Sequence, residues 1–203
     1  MIGVIKTNYS NFQSLTNALD FLKIHWTEIK KIKDFKIVTH IILPGVGSFK
    51  SVMNALQKKK LINSLKKEIL IKKKPFLGIC LGMQILCEYG WEDGKCKGLG
   101  IVKGECIKIP NTKNFKVPNI GWCELNIKKK DKLFKNISNS TVYFVHSFFL
   151  KVNQKIITST IKEKNKITAS ICKKNIYGVQ FHPEKSQLAG LQILKNFSKI
   201  DKV

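Results

Sequence analysis

Apolar residues change their spacing between the two halves of this 203-residue chain, and the change carries the first structural reading. In the N-terminal half, short apolar runs alternate with stretches of helical period. "IGVIK" at 2–6 is bounded by the turn-rich cluster "TNYSN", which predicts a buried strand. Leu15, Ala18, Leu19 and Leu22 then recur at i, i+3, i+4 and i+7, the spacing of an amphipathic helix. "KIVTHIIL" at 36–43 reads as a second strand ending at "PGVG", and Val52, Ala55 and Leu56, followed by Leu61, Leu65 and Ile69, return to helical spacing. "PFLGI" at 75–79 reads as a third strand that enters a turn at Cys80 and a helix to about Tyr89. Strands alternating with helices predict parallel pairing through right-handed crossovers.

The second half is different. "GLGIVKGECIKI", "FKVPNIGWCEL", "STVYFVHSFFL", "KIITSTI", "KITASIC" and "NIYGVQF" are short, strand-like and separated by turn or lysine-rich segments, a pattern of antiparallel strands and hairpins. Leu188, Leu191, Leu194 and Phe197 close the chain with an amphipathic helix. No solenoid repeat and no Pro/Gly/Ser-rich linker divides it. The expected architecture is one α/β domain over 1–203, with a central, largely parallel sheet flanked by helices and extra antiparallel strands in the second half. "IVTHIIL" and "VYFVHSFFL" fall short of the roughly 20 residues that cross a bilayer. "MIGVIKTN" lacks the basic-then-apolar pattern of a secretory signal, so a cytoplasmic protein without a membrane partner is expected.

Charge changes this picture little. The formal net charge of +24 would suit a nucleic acid or an anionic membrane, yet all 37 basic residues are lysine. Nucleic-acid readers exploit arginine's planar fork for bidentate contacts, and arginine is absent. The lysines read as compositional drift over solvated faces, "KKKDK" at 128–132 as an exposed loop, and no nucleic-acid partner is expected. An acidic partner or a phosphorylated ligand would still be attracted. The six cysteines form no CxxC and no Cys/His cluster, so no metal, cofactor or redox dithiol is expected. In a cytosolic chain they stay reduced, and five of them read as core fillers or surface residues.

Cys80 stands apart because glycines flank it two positions away on either side, in "LGICLG". A strand ending in G-x-nucleophile-x-G and passing into a helix matches the nucleophile elbow, whose sharp turn lifts the reactive side chain clear of the sheet. Gly78 and Gly82 supply clearance that a Cβ would deny. A helix N-terminus favours thiolate over thiol, and an unpaired N–H at Leu81 would form half an oxyanion hole. A buried strand packed closely on a helix is the competing account.

A cysteine nucleophile needs a base, and the histidines are His25, His40, His146 and His182. His25 falls at a helix end and His40 within a strand, so both read as structural or surface residues. His182 lies in "YGVQFHPEKS", where proline ends ladder bonding and keeps the preceding residue extended. Residues i and i+2 of an extended segment point the same way, so Glu184 is placed to orient His182. Cys80, His182 and Glu184 then make a complete relay of nucleophile, base and orienter. "LPGVG" at 43–47 ends another presumed parallel strand, the edge where ligands gather. There Gly45 and Gly47 leave N–H groups open and let the peptide at Val46 reorient as a second oxyanion donor; a plain strand-to-helix turn competes.

"LPGVG", "GICLGMQ", "YFVHSF" and "GVQFHPEKSQLAG", in this order and spacing and essentially from end to end, resemble the class I glutamine amidotransferases. More narrowly, the chain is similar to the glutaminase subunits of imidazole glycerol phosphate synthase. The resemblance implies that Cys80 attacks the side-chain amide of glutamine to give a glutamyl thioester and ammonia, with His182 as acid/base and Glu184 behind it. It places the oxyanion on Leu81 N–H and a reoriented donor at Val46, and the glutamine pocket on Gly45, Gly47, Gln84, His146, Ser147 and Phe148. It implies no cofactor, and a (β/α)₈ cyclase/synthase partner that receives the ammonia, with Trp122 and Lys185 facing it and Asn119 in the adjoining segment. Two positions depart from the family: Lys6 stands where an acidic residue is usual, with Asn11 retained beyond it, and Asn119 stands where many members have His. A paralogous amidotransferase serving an amino-sugar synthase would share the same triad. A lysine-rich nucleic-acid binder or a non-catalytic scaffold are readings of another class.

Overall fold

The computed structural model describes residues 1–7, 11–111, 116–129, 131–137, 141–162 and 164–201, with backbone alone at 164–166. Residues 8–10 of "TNYSN", Phe115, Lys130 of "KKKDK" and Ser140 lie outside this set.

Through the first half the elements are β1 (Ile2–Ile5), α1 (Phe12–Phe21), β2 (Trp26–Ile29), β3 (His40–Gly45), α2 (Phe49–Lys58), α3 (Ile62–Lys66), β4 (Phe76–Cys80) and α4 (Leu81–Gln84). There follow β5 (Tyr89–Gly90), β6 (Cys96–Lys97), β7 (Gly104–Lys108), β8 (Asn119–Ile127), β9 (Thr141–His146), β10 (Phe148–Val152), β11 (Ile157–Ile161), β12 (Lys164–Lys173), β13 (Ile176–Val179) and α5 (Gln187–Ser198). The main sheet has the order β2-β1-β3-β4-β13-β12-β11-β8-β9. Pairing is parallel from β2 to β13 and antiparallel from β13 onward. A small sheet, β10-β7-β5-β6, packs beside it.

Strand alternation divides the core into two layers, one on each face of the sheet. Val4, Ile42, Leu77, Ile79 and Val179 meet Leu15 and Leu19 of α1 and Ile193, Leu194 and Phe197 of α5. Ile5, Ile41, Leu43 and Phe76 meet Phe49, Val52 and Leu56 of α2 and Leu65 of α3. With both faces covered, the parallel strands read as continuous apolar runs, which is why β1, β3 and β4 are visible in the sequence.

Four differences from the sequence expectations have physical causes. The edge strand β2, "WTEI", is half-buried and too polar to show as an apolar run; it exists because it pairs in register with β1. The strand expected from residue 36 begins at His40, because Ile32–Lys36 forms a 3-10 turn closed by Asp34, whose carboxylate accepts from Lys30 and Lys31 N–H. The helix expected to run to Tyr89 stops at Gln84. The carbonyls of Ile85, Leu86 and Cys87 accept from Leu99, Ile101 and Gly100 N–H, which draws the chain into the small sheet and leaves no helical acceptors. Finally, "VYFVHSFFL" is two strands in different sheets, β9 and β10, broken at Ser147, whose carbonyl accepts from Ile109 N–H.

The close stacking of β3, β4 and α4 is a glycine requirement: a Cβ on Gly82 would overlap the Leu43 carbonyl, and one on Gly78 the Gly82 carbonyl. Gly82→Ala is therefore expected to destabilise the fold by about 2–4 kcal/mol, the range of a core clash the backbone cannot relieve. Denaturant unfolding against wild type reads this, and an unchanged midpoint would contradict the packing.

Candidate active site

β4 delivers Cys80 to the C-terminal edge of the parallel strands, and there the backbone reverses sharply. Cys80 has φ +53° and ψ −111°, a region that L-residues rarely adopt and that costs about 1–3 kcal/mol. The neighbouring chain fits around it because Gly45, paired with Cys80 in the sheet, has no side chain; a Cβ there would lie 2.9 Å from Leu81 Cβ. The nucleophile elbow expected from "LGICLG" is thus present as backbone geometry. The helix that follows it is shorter than expected. α4 is a single turn, too short to carry a sizeable macrodipole, so the groups touching the sulfur matter more than the helix.

One of those groups is His182. Its backbone is tied to β9, with His182 N–H donating to the Tyr143 carbonyl at 2.9 Å and Ser186 Oγ donating to the His182 carbonyl at 2.6 Å. Pro183 opens a 3-10 turn, Pro183–Lys185, that folds Glu184 back so that its Oε1 accepts from His182 Nδ1 at 2.8 Å. This bond assigns the proton to Nδ1 and turns Nε2 toward Cys80. Nε2 is buried without an ordinary hydrogen bond, free to exchange a proton with the thiol. Burial by itself pushes the imidazole pKa down; the adjacent Cys80 sulfur and the hydrogen bond to Glu184, with their charge, overcome it and hold the ring up at about 10. The same Glu184 oxygen accepts from Asn11 Nδ2 at 2.9 Å, and Ser14 Oγ donates to Asn11 Oδ1 at 2.8 Å. Asn11 at the start of α1 therefore helps to orient the carboxylate, a role its sequence position did not reveal.

A cavity of about 250 Å³ opens over Cys80, sized for a small metabolite, and Val46, Gly47, Leu81, Gln84, His146, Ser147 and Phe148 line it. These are the residues predicted for the oxyanion hole and substrate pocket, with Gly45 beneath Leu81. Gln84 Nε2 donates to the Phe148 carbonyl at 2.8 Å. His146 donates from Nδ1 to the same carbonyl at 2.9 Å, and its Nε2 lies 3.0 Å from Asn119 Nδ2. Glu92 also lines the cavity and was missed, because nothing in "GWEDG" marks a binding carboxylate. Its Oε2 accepts from Phe49 N–H at the start of α2 at 2.7 Å, while burial raises its pKa.

The residues expected at a partner interface separate. Trp122 is 48% exposed on β8, packs edge-on against Tyr143, and lines a different cavity of about 310 Å³ with Leu188 and Ala189. Lys185 is exposed, with Nζ 5.9 Å from the Tyr143 ring centre. Asn119, by contrast, is buried against His146, so its side chain shapes the pocket from within rather than presenting a surface. Lys6 is exposed above Phe12.

The remaining histidines and cysteines stay out of this chemistry. His25 is exposed, and His40 bonds the Ile200 carbonyl at 2.8 Å and packs on Phe197, anchoring the C-terminal helix. Burial pushes the Cys87 thiol up to about 12, raises Cys106 still further, and brings Cys172 to about 11, all unreactive values. Within "KKKDK", Lys128, Lys129 and Lys132 are exposed, but Asp131 turns inward to accept from Leu133 N–H. Among the described residues no group of His, Cys, Asp and Glu could hold a metal.

A doubly covered α/β sheet with a strained cysteine at its parallel edge, beside an imidazole–carboxylate pair, has the make-up of a thiol-based amidotransferase site. Residues 4–200 match the family "Glutamine amidotransferase class-I", and the chain belongs to that family. It is similar to "Imidazole glycerol phosphate synthase subunit HisH 1" of Campylobacter jejuni subsp. jejuni (strain 81-176), 42% identical over 98% of this chain and 100% of that protein. It is also 42% identical to the HisH subunit of Caldanaerobacter subterraneus subsp. tengcongensis, over 100% of this chain and 99% of that one. Among solved structures, "Crystal structure of glutamine amidotransferase" has the same fold, with TM-score 0.76, 14% identity and coverage of 97% and 96% of the two chains. PurLQS from Thermotoga maritima gives TM-score 0.72 at 18% identity, covering 97% of this chain and 96% of its own.

Glu184→Gln removes one of the two partners, Cys80 and Glu184, that raise the His182 pKa against burial, and should lower glutamine hydrolysis about 100-fold or more at saturating substrate. The linkage has a definite sign: a raised histidine pKa stabilises the fold fully below the ordinary 6.5, and the benefit is lost as pH rises through about 10. The stability gap between wild type and Glu184→Gln should therefore close over that window, as read by denaturant midpoints; a constant gap would contradict the pairing.

Proposed function

We propose that the chain is the glutaminase subunit of an imidazole glycerol phosphate synthase. It hydrolyses glutamine and passes the ammonia to a (β/α)₈ cyclase subunit for histidine biosynthesis. The observation that carries this reading is Cys80 lining a small pocket at the parallel edge of the sheet with the buried His182–Glu184 pair beside its sulfur, in a chain about 40% identical to HisH proteins throughout.

The geometry supports the following reaction. Cys80 Sγ attacks the side-chain carbonyl carbon of glutamine, forming a C–S bond, and negative charge develops on the oxygen. Leu81 N–H and a donor of the Val46 segment face that oxygen. As the tetrahedral species collapses, protonated His182 gives its Nε2 proton to the leaving nitrogen; the C–N bond breaks and ammonia departs, leaving a glutamyl thioester. His182 then removes a proton from water, whose oxygen attacks the thioester carbonyl. The C–S bond breaks, glutamate leaves, and the sulfur is regenerated. Glu184, steadied by Asn11, compensates the imidazolium in both halves.

Substrate recognition falls to the other pocket residues. Both N–H groups of the Gln84 amide are occupied by the Phe148 carbonyl and Gln180 Oε1, so Gln84 offers its own oxygen to the ligand. That oxygen and the Glu92 carboxylate suit the α-ammonium of an amino acid. Trp122, Tyr143 and Lys185 lie on the side that faces the cyclase, and ammonia leaves there.

Two measurements test the reading. Glutamate release should be low for the chain alone, rise strongly with the cognate cyclase and its phosphorylated nucleotide ligand, and vanish in Cys80→Ala, while that variant's complex still uses free ammonia. Absence of stimulation with both proteins folded would reject the assignment. Glu92→Gln should raise KM for glutamine about tenfold, the value of one charge-assisted contact, with kcat little changed; a kcat loss at constant KM would remove Glu92 from substrate binding.

A further inference from the structure

Cys80 has a second polar neighbour besides the imidazole. Gln180, just past β13, is fully buried in an apolar run between Val179 and Phe181, and its Nε2 donates to Cys80 Sγ at 3.5 Å. A buried amide costs free energy unless both ends are bonded, so its placement against the nucleophile calls for a reason.

The direction of that amide follows from a group with no ambiguity. The Phe148 carbonyl only accepts, so the Gln84 atom 2.8 Å from it is the NH₂ nitrogen. The same nitrogen lies 3.0 Å from Gln180, which must therefore present its oxygen there. What remains for the sulfur is the Gln180 NH₂. Were the amide reversed, an oxygen would face the sulfur and two NH₂ groups would oppose each other. The wall of the pocket thus dictates that a donor points at Cys80.

We propose that Gln180 is a further catalytic residue, whose side-chain N–H hydrogen-bonds the Cys80 sulfur, favours its ionised form and holds it in the attacking position. A carboxamide takes up no proton at neutral pH, so His182 remains the base. Gln180 acts on the acceptor that the proton leaves behind. A hydrogen bond to a charged acceptor is roughly twice as strong as a neutral one, so the bond strengthens as the thiolate forms. Gln84 is then a positioning residue for Gln180 as well as part of the pocket wall. The assignment rests on the glutaminase reading for its catalytic meaning, but its deciding readout requires neither glutamine nor a partner.

The test is the rate at which iodoacetamide alkylates Cys80, read on the Cys80 peptide by mass spectrometry and followed with pH. Gln180→Met keeps the volume and removes the donor; Gln180→Glu keeps the shape and replaces the donor with an acceptor. In both, alkylation near pH 7 should slow about tenfold, with the deficit shrinking as alkalinity ionises the thiol without help, as expected for losing one charge-assisted bond. Glutamine hydrolysis in the cyclase complex should fall by a similar factor at that pH and recover in the same direction. An alkylation profile identical to wild type in a folded variant overturns the proposal, and so does a uniform slowing at every pH, which marks a packing role. Should Gln180→Met fail to fold, the isosteric Gln180→Glu decides alone. A wild-type complex that alkylates normally but hydrolyses no glutamine sinks the glutaminase reading and leaves the role of Gln180 toward the sulfur standing.

Discussion

The site depends on one backbone constraint: a residue bearing a side chain is held at positive φ where β4 ends. Such a conformation persists only when the surroundings over-determine it. Here they do so through contacts that leave no room for a Cβ, with Gly45 against Leu81, Gly78 against Gly82, and Gly82 against the Leu43 carbonyl. These approaches lock β3, β4 and the single turn α4 into one rigid unit, and they raise the thiol above the sheet edge. The core on both faces of the parallel strands then serves as the anvil that keeps the turn strained.

Around that unit, charge is managed by counting partners rather than by exposure to water. His182 is buried, which disfavours its charged form, yet Glu184 and the neighbouring thiol reverse the balance. Glu184 in turn shares one oxygen between His182 and Asn11. On the opposite wall, Asn119, His146, the Phe148 carbonyl and Gln84 form a run of hydrogen bonds that ends at Gln180 and the sulfur. Asn119 contributes a buried side-chain amide whose Nδ2 lies 3.0 Å from His146 Nε2. Among the described residues no lysine lines the cavity over Cys80. Lys74 is a half-buried lysine that pairs at 2.8 Å with Glu68 at the far end of β4.

How much of this was legible in the sequence depends on the range of the interaction involved. The elbow glycines lie two residues from Cys80, and Glu184 lies two residues from His182, so local spacing revealed both groups. The buried parallel strands announced themselves as apolar runs, and α1 and α5 as helical stripes. Gln180 carried a faint signal, a polar residue inside "YGVQF" in phase with His182, but its target is 100 residues away in sequence. Glu92 and the bond from Asn11 to Glu184 carried none, since each function arises from segments joined only on folding.

By itself, the sequence determined which residues suit the proposed relay and which stretches must be buried, because side-chain chemistry, glycine clearance and hydrophobic period are local properties. Only the tertiary structure decided where the chain breaks. The helix after Cys80 stops at Gln84 because amides of residues 99–102 capture its next carbonyls, and "VYFVHSFFL" splits at Ser147 because its two halves pair in different sheets. Those breaks turn His146, Ser147 and Phe148 into a pocket wall and reduce the dipole behind the nucleophile to a single turn. The reason is physical: a backbone hydrogen bond goes to whichever donor the completed fold brings nearest, and no local pattern records a partner from a distant strand.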